Sequence, residues 1–170
     1  MAKRTLIAYQ SKNGAAAKTA RIVAEVLRTE FGHEVEVVDL KENKNPDLSG
    51  FDNVVIGSGI RIGMWYGRAR GMMKRDFTGK KLAVYVCAMR AEGKPEDVVK
   101  AWNDYLQKRI DRWMKRVRPV AQAAFGGWYK SEDDPNDNNH DPDKVRAWAA
   151  ELGRRLAAPA DGNPVAWSAS

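Results

Sequence analysis

The sequence predicts an α/β fold, a three-layer sandwich built on a five-stranded parallel sheet, and three observations carry that expectation. Short runs rich in valine, isoleucine and leucine recur along the 170 residues. They alternate with segments whose apolar residues keep helical spacing, and several are apolar throughout rather than at every second position. Strands that are apolar on both sides need cover on both faces, which right-handed crossover helices provide.

Taken in order, Thr5 to Tyr9 is the first strand. It breaks at Gln10-Ser11-Lys12-Asn13-Gly14, after which Ala20, Val23, Ala24, Leu27 and Phe31 mark a helix that Gly32 stops in a left-handed turn. Glu34 to Leu40 supplies Val35, Val37 and Val38 as a second strand, and the turn at Asn45-Pro46 leads to a third over Phe51 to Gly57. A glycine-rich loop and a short helix over Arg68 to Phe77 precede the fourth strand, Lys81 to Ala88. From Glu96 to Val117, Val99, Trp102, Leu106, Ile110, Trp113 and Val117 fall on one face of a basic amphipathic helix. Pro119 to Phe125 is the fifth strand, followed by an acidic, asparagine-rich loop over Ser131 to Pro142. Asp141-Pro142 starts the last helix, with Val145, Trp148, Leu152 and Leu156 inward. One domain over residues 1–158 and a loose tail over 159–170 complete the expectation.

Composition narrows the function classes. A net charge of +7 attracts anions at long range. Cys87 is the single cysteine, so no internal disulfide forms, and with only His33 and His140 a Cys/His zinc site lacks ligands. Both histidines are expected at the surface, and Cys87 as a small buried side chain. The apolar run after Met1-Ala2-Lys3-Arg4 is too short for a secretion signal, and no stretch reaches the roughly eighteen apolar residues of a membrane span. A cytoplasmic location follows as an expectation. The acidic loop has carboxylates, but Pro135 and the missing central glycine break a calcium-loop pattern.

In doubly wound sheets the ligand crevice lies beyond the carboxyl ends of the strands. The first loop there, Ser11-Lys12-Asn13-Gly14-Ala15-Ala16, combines a hydroxyl, a glycine and a helix start; it is either an anion nest for a terminal phosphate or an ordinary turn. It matches neither the triphosphate loop nor the dinucleotide glycine fingerprint. In the second, Ser58-Gly59-Ile60-Arg61-Ile62-Gly63 precedes Trp65 and Tyr66, which either face a flat conjugated ring or anchor the loop. The third, Ala88-Met89-Arg90 and on to Gly93, has no aromatic residue, so ring-edge contacts there come from backbone or Met89.

Tyr9-Gln10-Ser11-Lys12-Asn13-Gly14, Phe51 to Ser58 and Gly79 to Tyr85 together resemble the flavodoxin family over roughly Thr5 to Leu156. Within it, Ile56-Gly57-Ser58-Gly59-Ile60-Arg61-Ile62-Gly63 is similar to the branch that includes menaquinone-dependent protoporphyrinogen oxidases. The resemblance implies a flavodoxin-like sandwich with strand order 2-1-3-4-5 and FMN as cofactor. It places the phosphate on Ser11, Lys12, Asn13, Gly14, Ala15 and Ala16, and the isoalloxazine between Ser58, Gly59, Ile60, Arg61, Ile62 and Gly63 on one side and Ala88, Met89 and Arg90 on the other. One departure stands out: the family carries a second hydroxyl residue where this chain has Ala16. A charge-assisted hydrogen bond is worth about 1.5–3 kcal/mol, so its loss costs about one to two decades of affinity unless Lys12, Lys18 or Thr19 compensates.

The implied function is an FMN-dependent oxidoreductase or electron-transfer protein with a quinone or porphyrinogen as redox partner. The alternative is a binding or regulatory module on the same fold with weak or lost FMN binding, for which Ala15-Ala16-Ala17 is the motive. Arg61, Arg68, Arg70 and Arg90 would favour a reduced, anionic flavin and a carboxylate-bearing substrate, or else are solvated rim residues. The stripe Lys108-Arg109, Arg112, Lys115-Arg116 and Arg118 would allow peripheral contact with an anionic membrane, unless its helix serves only to cover the sheet. No nucleic-acid motif accompanies it, and catalytic residues and oligomeric state stay open.

Overall fold

The computed structural model describes residues 2–159 and the backbone of 165–166. In chain order the elements are β1 (Arg4–Gln10), α1 (Ala15–Phe31), β2 (Glu34–Asp39), β3 (Asn53–Arg61), β4 (Met64–Trp65) and α2 (Gly67–Met73). There follow β5 (Lys81–Cys87), α3 (Pro95–Ala101), α4 (Lys108–Trp113), β6 (Ala121–Phe125), α5 (Pro142–Ala157) and β7 (Val165–Ala166). The main sheet runs β2-β1-β3-β5-β6-β7, all parallel, so its five long strands follow the expected order 2-1-3-4-5. Two short strands are additions: β4 folds back antiparallel on the end of β3, and β7 extends the edge beside β6. Otherwise the expected tail falls outside the described residues.

Alternation within a strand splits the core into two layers. In β5, Leu82, Val84 and Val86 pack toward α2 and α4, whereas Ala83, Tyr85 and Cys87 pack toward α1 and α5. All are nearly or fully buried, which explains why the sequence shows a continuous apolar run. α1 ends at Gly32 with φ 68°, the left-handed stop expected there, and α5 begins at Asp141, whose carboxylate accepts the Asp143 amide with Pro142 in the first turn. The inner face of α5 is the one read from the sequence: Val145, Trp148, Leu152 and Leu156 are all buried.

The basic helix departs from expectation. α3 runs into a π-helical stretch, Trp102–Gln107, and then α4, which ends at Trp113 rather than Val117. The wider turn changes which residues face inward: Val99 is 59% exposed, while Ala101, Tyr105, Leu106 and Ile110 are buried against the sheet. The helix after β4 is likewise shorter than expected, ending at Met73. Both histidines, expected at the surface, are buried. His33 meets Thr5 at 2.9 Å and His140 meets Thr19 at 2.8 Å, so each ring finds a threonine from a neighbouring element, while the second ring nitrogen of His140 is buried without a partner.

Candidate functional site

Register aligns the carboxyl ends of the central strands. Gln10 pairs with Ser58, Gly59 with Cys87, and Cys87 with Phe125, so four loops leave the sheet at one level. They enclose a cleft of about 1050 Å³, at the upper limit of the size range of ligand sites. Of the residues singled out from the sequence, Ser11, Lys12, Asn13, Ala15, Ala16, Gly59, Ile60, Arg61, Ile62, Gly63, Ala88, Met89 and Arg90 line it. Gly14 and Ser58 do not. Ser58 is fully buried and works as a fastener, donating to the Gly59 carbonyl at 2.6 Å and accepting the Tyr66 amide at 3.1 Å.

The first loop turns at Gly14, whose φ of 109° suits glycine alone. Its amide donates to the Ser11 hydroxyl at 3.0 Å. No side chain caps α1, and no acidic residue occupies its first turn, so the amides of that turn face the cleft end of the helix with their dipole unopposed. The loop is pinned from above and below: Trp128 Nε1 donates to the Asn13 carbonyl at 2.5 Å, and the Tyr85 hydroxyl donates to the Ala16 carbonyl at 2.8 Å. A Cβ on Gly14 would approach the Trp128 ring to 3.1 Å.

The second loop is a two-residue hairpin between β3 and β4, closed by pairing of Arg61 with Met64. Ile62 sits at φ 51° and Gly63 at φ 72°, the conformation of a tight primed turn. A β-branched residue there is strained by roughly 1–2 kcal/mol, and Ile62 is 91% exposed at the rim. Of the two aromatic candidates, Trp65 is the anchor: it is buried and its Nε1 donates to the Tyr105 carbonyl at 2.6 Å. Tyr66 lines the cleft instead, its ring against Gly59. The third loop forms a short 3-10 turn, Met89–Glu92, and is tied by Asn139 Nδ2 donating to the Met89 carbonyl at 2.8 Å.

A fourth loop belongs to the same cleft and was not among the sequence candidates. Gly127, Trp128, Tyr129, Lys130, Asp134, Asn136 and Asp137 line it, as does Tyr105 from the π-helical stretch. The signal was present: Gly126-Gly127-Trp128-Tyr129 follows the fifth strand, and every loop at that end of a doubly wound sheet borders the crevice. The acidic segment that follows is ordered by Asp137, whose carboxylate accepts the Lys130 and Ser131 amides at 2.6 and 2.7 Å and is thereby held below the ordinary carboxylate range. Glu132 reaches Lys18 on α1 at 2.5 Å, closing the loop over the helix.

Four cations, Lys12, Arg61, Arg90 and Lys130, and two carboxylates, Asp134 and Asp137, line the cleft. Arg68 turns away, donating to the Leu40 and Lys41 carbonyls, and neither it nor Arg70 reaches the lining. Cys87 also lines the wall, but burial pushes its thiol up to about 12, so it remains protonated and unreactive. Behind it, Thr19 donates to the Ala15 carbonyl at 2.9 Å, which makes the His140 imidazole and the Cys87 thiol the donors to the threonine oxygen.

A family model described as a flavodoxin domain matches residues 6–131. The protoporphyrinogen IX dehydrogenase [quinone] of Escherichia coli strain K12 is 28% identical over 129 residues, covering 73% of this chain and 68% of that protein. Among solved structures, oxidised flavodoxin 2 from Bacillus cereus matches at 19% identity with a TM-score of 0.59, covering 91% of this chain and 97% of that one. Rubredoxin oxygen:oxidoreductase of Desulfovibrio gigas matches 91% of this chain at 15% identity and TM-score 0.59, but this chain spans only 36% of its length. These structural likenesses concern the fold.

Proposed function

Because the chain belongs to the flavodoxin-domain family, whose model spans residues 6–131, we propose that the cleft holds FMN and that the protein is a flavin-dependent oxidoreductase or electron-transfer protein. The observation that carries this reading is the start of α1: an uncapped helix terminus with no acidic residue in its first turn, opening into the cleft behind a left-handed glycine. That donor set fits a terminal phosphate dianion and would repel a cation. Ser11, Lys12, Asn13, Ala15 and Ala16 hold the phosphate, while Gly59 to Gly63 and Ala88 to Arg90 flank the ring. Gly14 and Ser58 shape the first two loops from behind.

Bound FMN supplies the one- or two-electron chemistry. This chain's own residues bind and orient it, exclude water, and set the local field. Arg61, Arg90, Lys12 and Lys130 bring positive charge to the rim, which favours electron uptake and draws an anionic partner. A quinone or a porphyrinogen is the proposed acceptor or substrate, by analogy with the named activity of the Escherichia coli relative. The lone, buried, protonated thiol suits a reducing, cytoplasmic compartment. No helix among the described residues is long and apolar enough to cross a membrane.

Titration with FMN, followed by quenching of flavin fluorescence, tests the proposal. Uptake of one FMN per chain is expected, and Gly14→Val, which forces a β-branched residue into φ 109° against Trp128, should abolish it. A wild-type chain that leaves the fluorescence of added FMN unchanged throughout the titration refutes the reading. That result would favour a binding module whose Ala16 marks the loss of a phosphate contact.

A further inference from the structure

We infer that Tyr105 selects the redox partner: its phenol donates a hydrogen bond to the oxygen of a flat carbonyl-bearing acceptor seated in the cleft. This rests on the FMN reading above and names what it leaves open, the group that meets the partner. The first support is the π-helical stretch Trp102–Gln107, which interrupts an otherwise regular helix. Such stretches are rare and occur frequently at functional sites. Here the wider turn brings Tyr105 to the cleft wall, only 6% exposed, while Val99 on the turns before it faces out.

The second support is the fixing of the residue. Its carbonyl is held by Trp65 Nε1 at 2.6 Å, and its ring stands 4.0 Å from where a Cβ on Gly63 would lie, so the hairpin and the helix share one wedge. The third is the phenol itself. Among the described residues the Tyr105 hydroxyl meets no protein partner at hydrogen-bond distance, and it is not one of the fully buried unpartnered atoms, so it opens to the cleft that the residue lines. A buried phenol normally finds an acceptor, and the space available to this one is the cleft. Reduction of a carbonyl places negative charge on its oxygen, where a fixed donor is worth most. A site built to hydrogen-bond an oxygen also discriminates against partners that lack it.

The test uses FMN-loaded protein, reduced beforehand, with two oxidants. Ferricyanide takes an electron without offering a carbonyl oxygen; 1,4-naphthoquinone offers two. In Tyr105→Phe, kcat/KM for the naphthoquinone should fall about tenfold, the size expected for losing one hydrogen bond to a charged or charging oxygen, while the ferricyanide rate changes by less than about twofold. Calorimetric binding of the naphthoquinone to the oxidised protein should weaken in parallel. Equal losses with both oxidants, or no loss with the quinone, overturn the assignment while FMN binding stands. A wild-type chain that takes up no FMN overturns both.

Discussion

His140 and His33 are neutral by construction. Each imidazole is buried against a threonine, and desolvation is the main force lowering its pKa, to about 4 for His140. Lys18 pushes His140 further down, while Glu132 and Asp141 oppose it; at His33, Asp52 and Lys3 act in opposite senses. With the folded pKa below the unfolded one, the unfolded chain binds more protons between about pH 4 and 6.5, so stability is complete above that window and falls as pH drops through it. For His140 the loss reaches at most about 3 kcal/mol. Urea midpoints measured from pH 7 to pH 4 should therefore fall in the wild type and fall less in His140→Gln, which keeps a donor for Thr19. A parallel decline in both would show that His140 is not the group responsible. Neither burial was visible from the sequence, because a polar residue in a loop reads as exposed until its partner, 121 positions away for His140, comes into contact.

At the level of elements, Gly57 shows how the sheet is fitted to the first loop. A Cβ there would lie 2.0 Å from the Tyr85 ring, and that fully buried ring crosses β3 to put its hydroxyl on the Ala16 carbonyl. Gly57→Ala should cost on the order of 1–3 kcal/mol by overpacking, against the slight gain that alanine usually brings to a strand. Chemical denaturation measures the loss, and weaker FMN uptake should accompany it because Tyr85 can no longer reach the loop. An unchanged midpoint would mean that Tyr85 moves aside freely. The long elements were legible from the chain because β1, β3 and β5 carry continuous apolar runs and α1 and α5 keep a clean helical period. β4 was not, since two residues carry no periodicity. The π-helical stretch escaped for a related reason: six residues are too few to distinguish its turn from that of an α-helix, so Val99 was assigned inward and Tyr105 overlooked.

Across the whole molecule, a net charge of +7 and a cleft with more cations than carboxylates would lead the phosphate dianion of the proposed FMN inward. The association rate with FMN should fall on the order of tenfold as salt rises from about 10 mM to 0.5 M, while the dissociation rate changes little, because screening acts on the approach more than on the seated contacts. Stopped-flow quenching measures both; a rate indifferent to salt would remove charge steering from the account. Most of the candidate cleft could be read from three loops placed at the carboxyl ends of apolar strands. The fourth was missed because its glycines and aromatics precede an acidic segment that reads as solvated, and only the bonds made by Asp137, Asn139 and Trp128 fold it inward.

Trp128 fastens Asn13 across 115 positions of sequence. A ribosome delivers the amino-terminal loop early and its clasp late, so the nascent chain carries an open cradle until the final long strand and the turn behind it have emerged. If the cradle takes FMN as proposed, capture would wait until translation has passed this tryptophan.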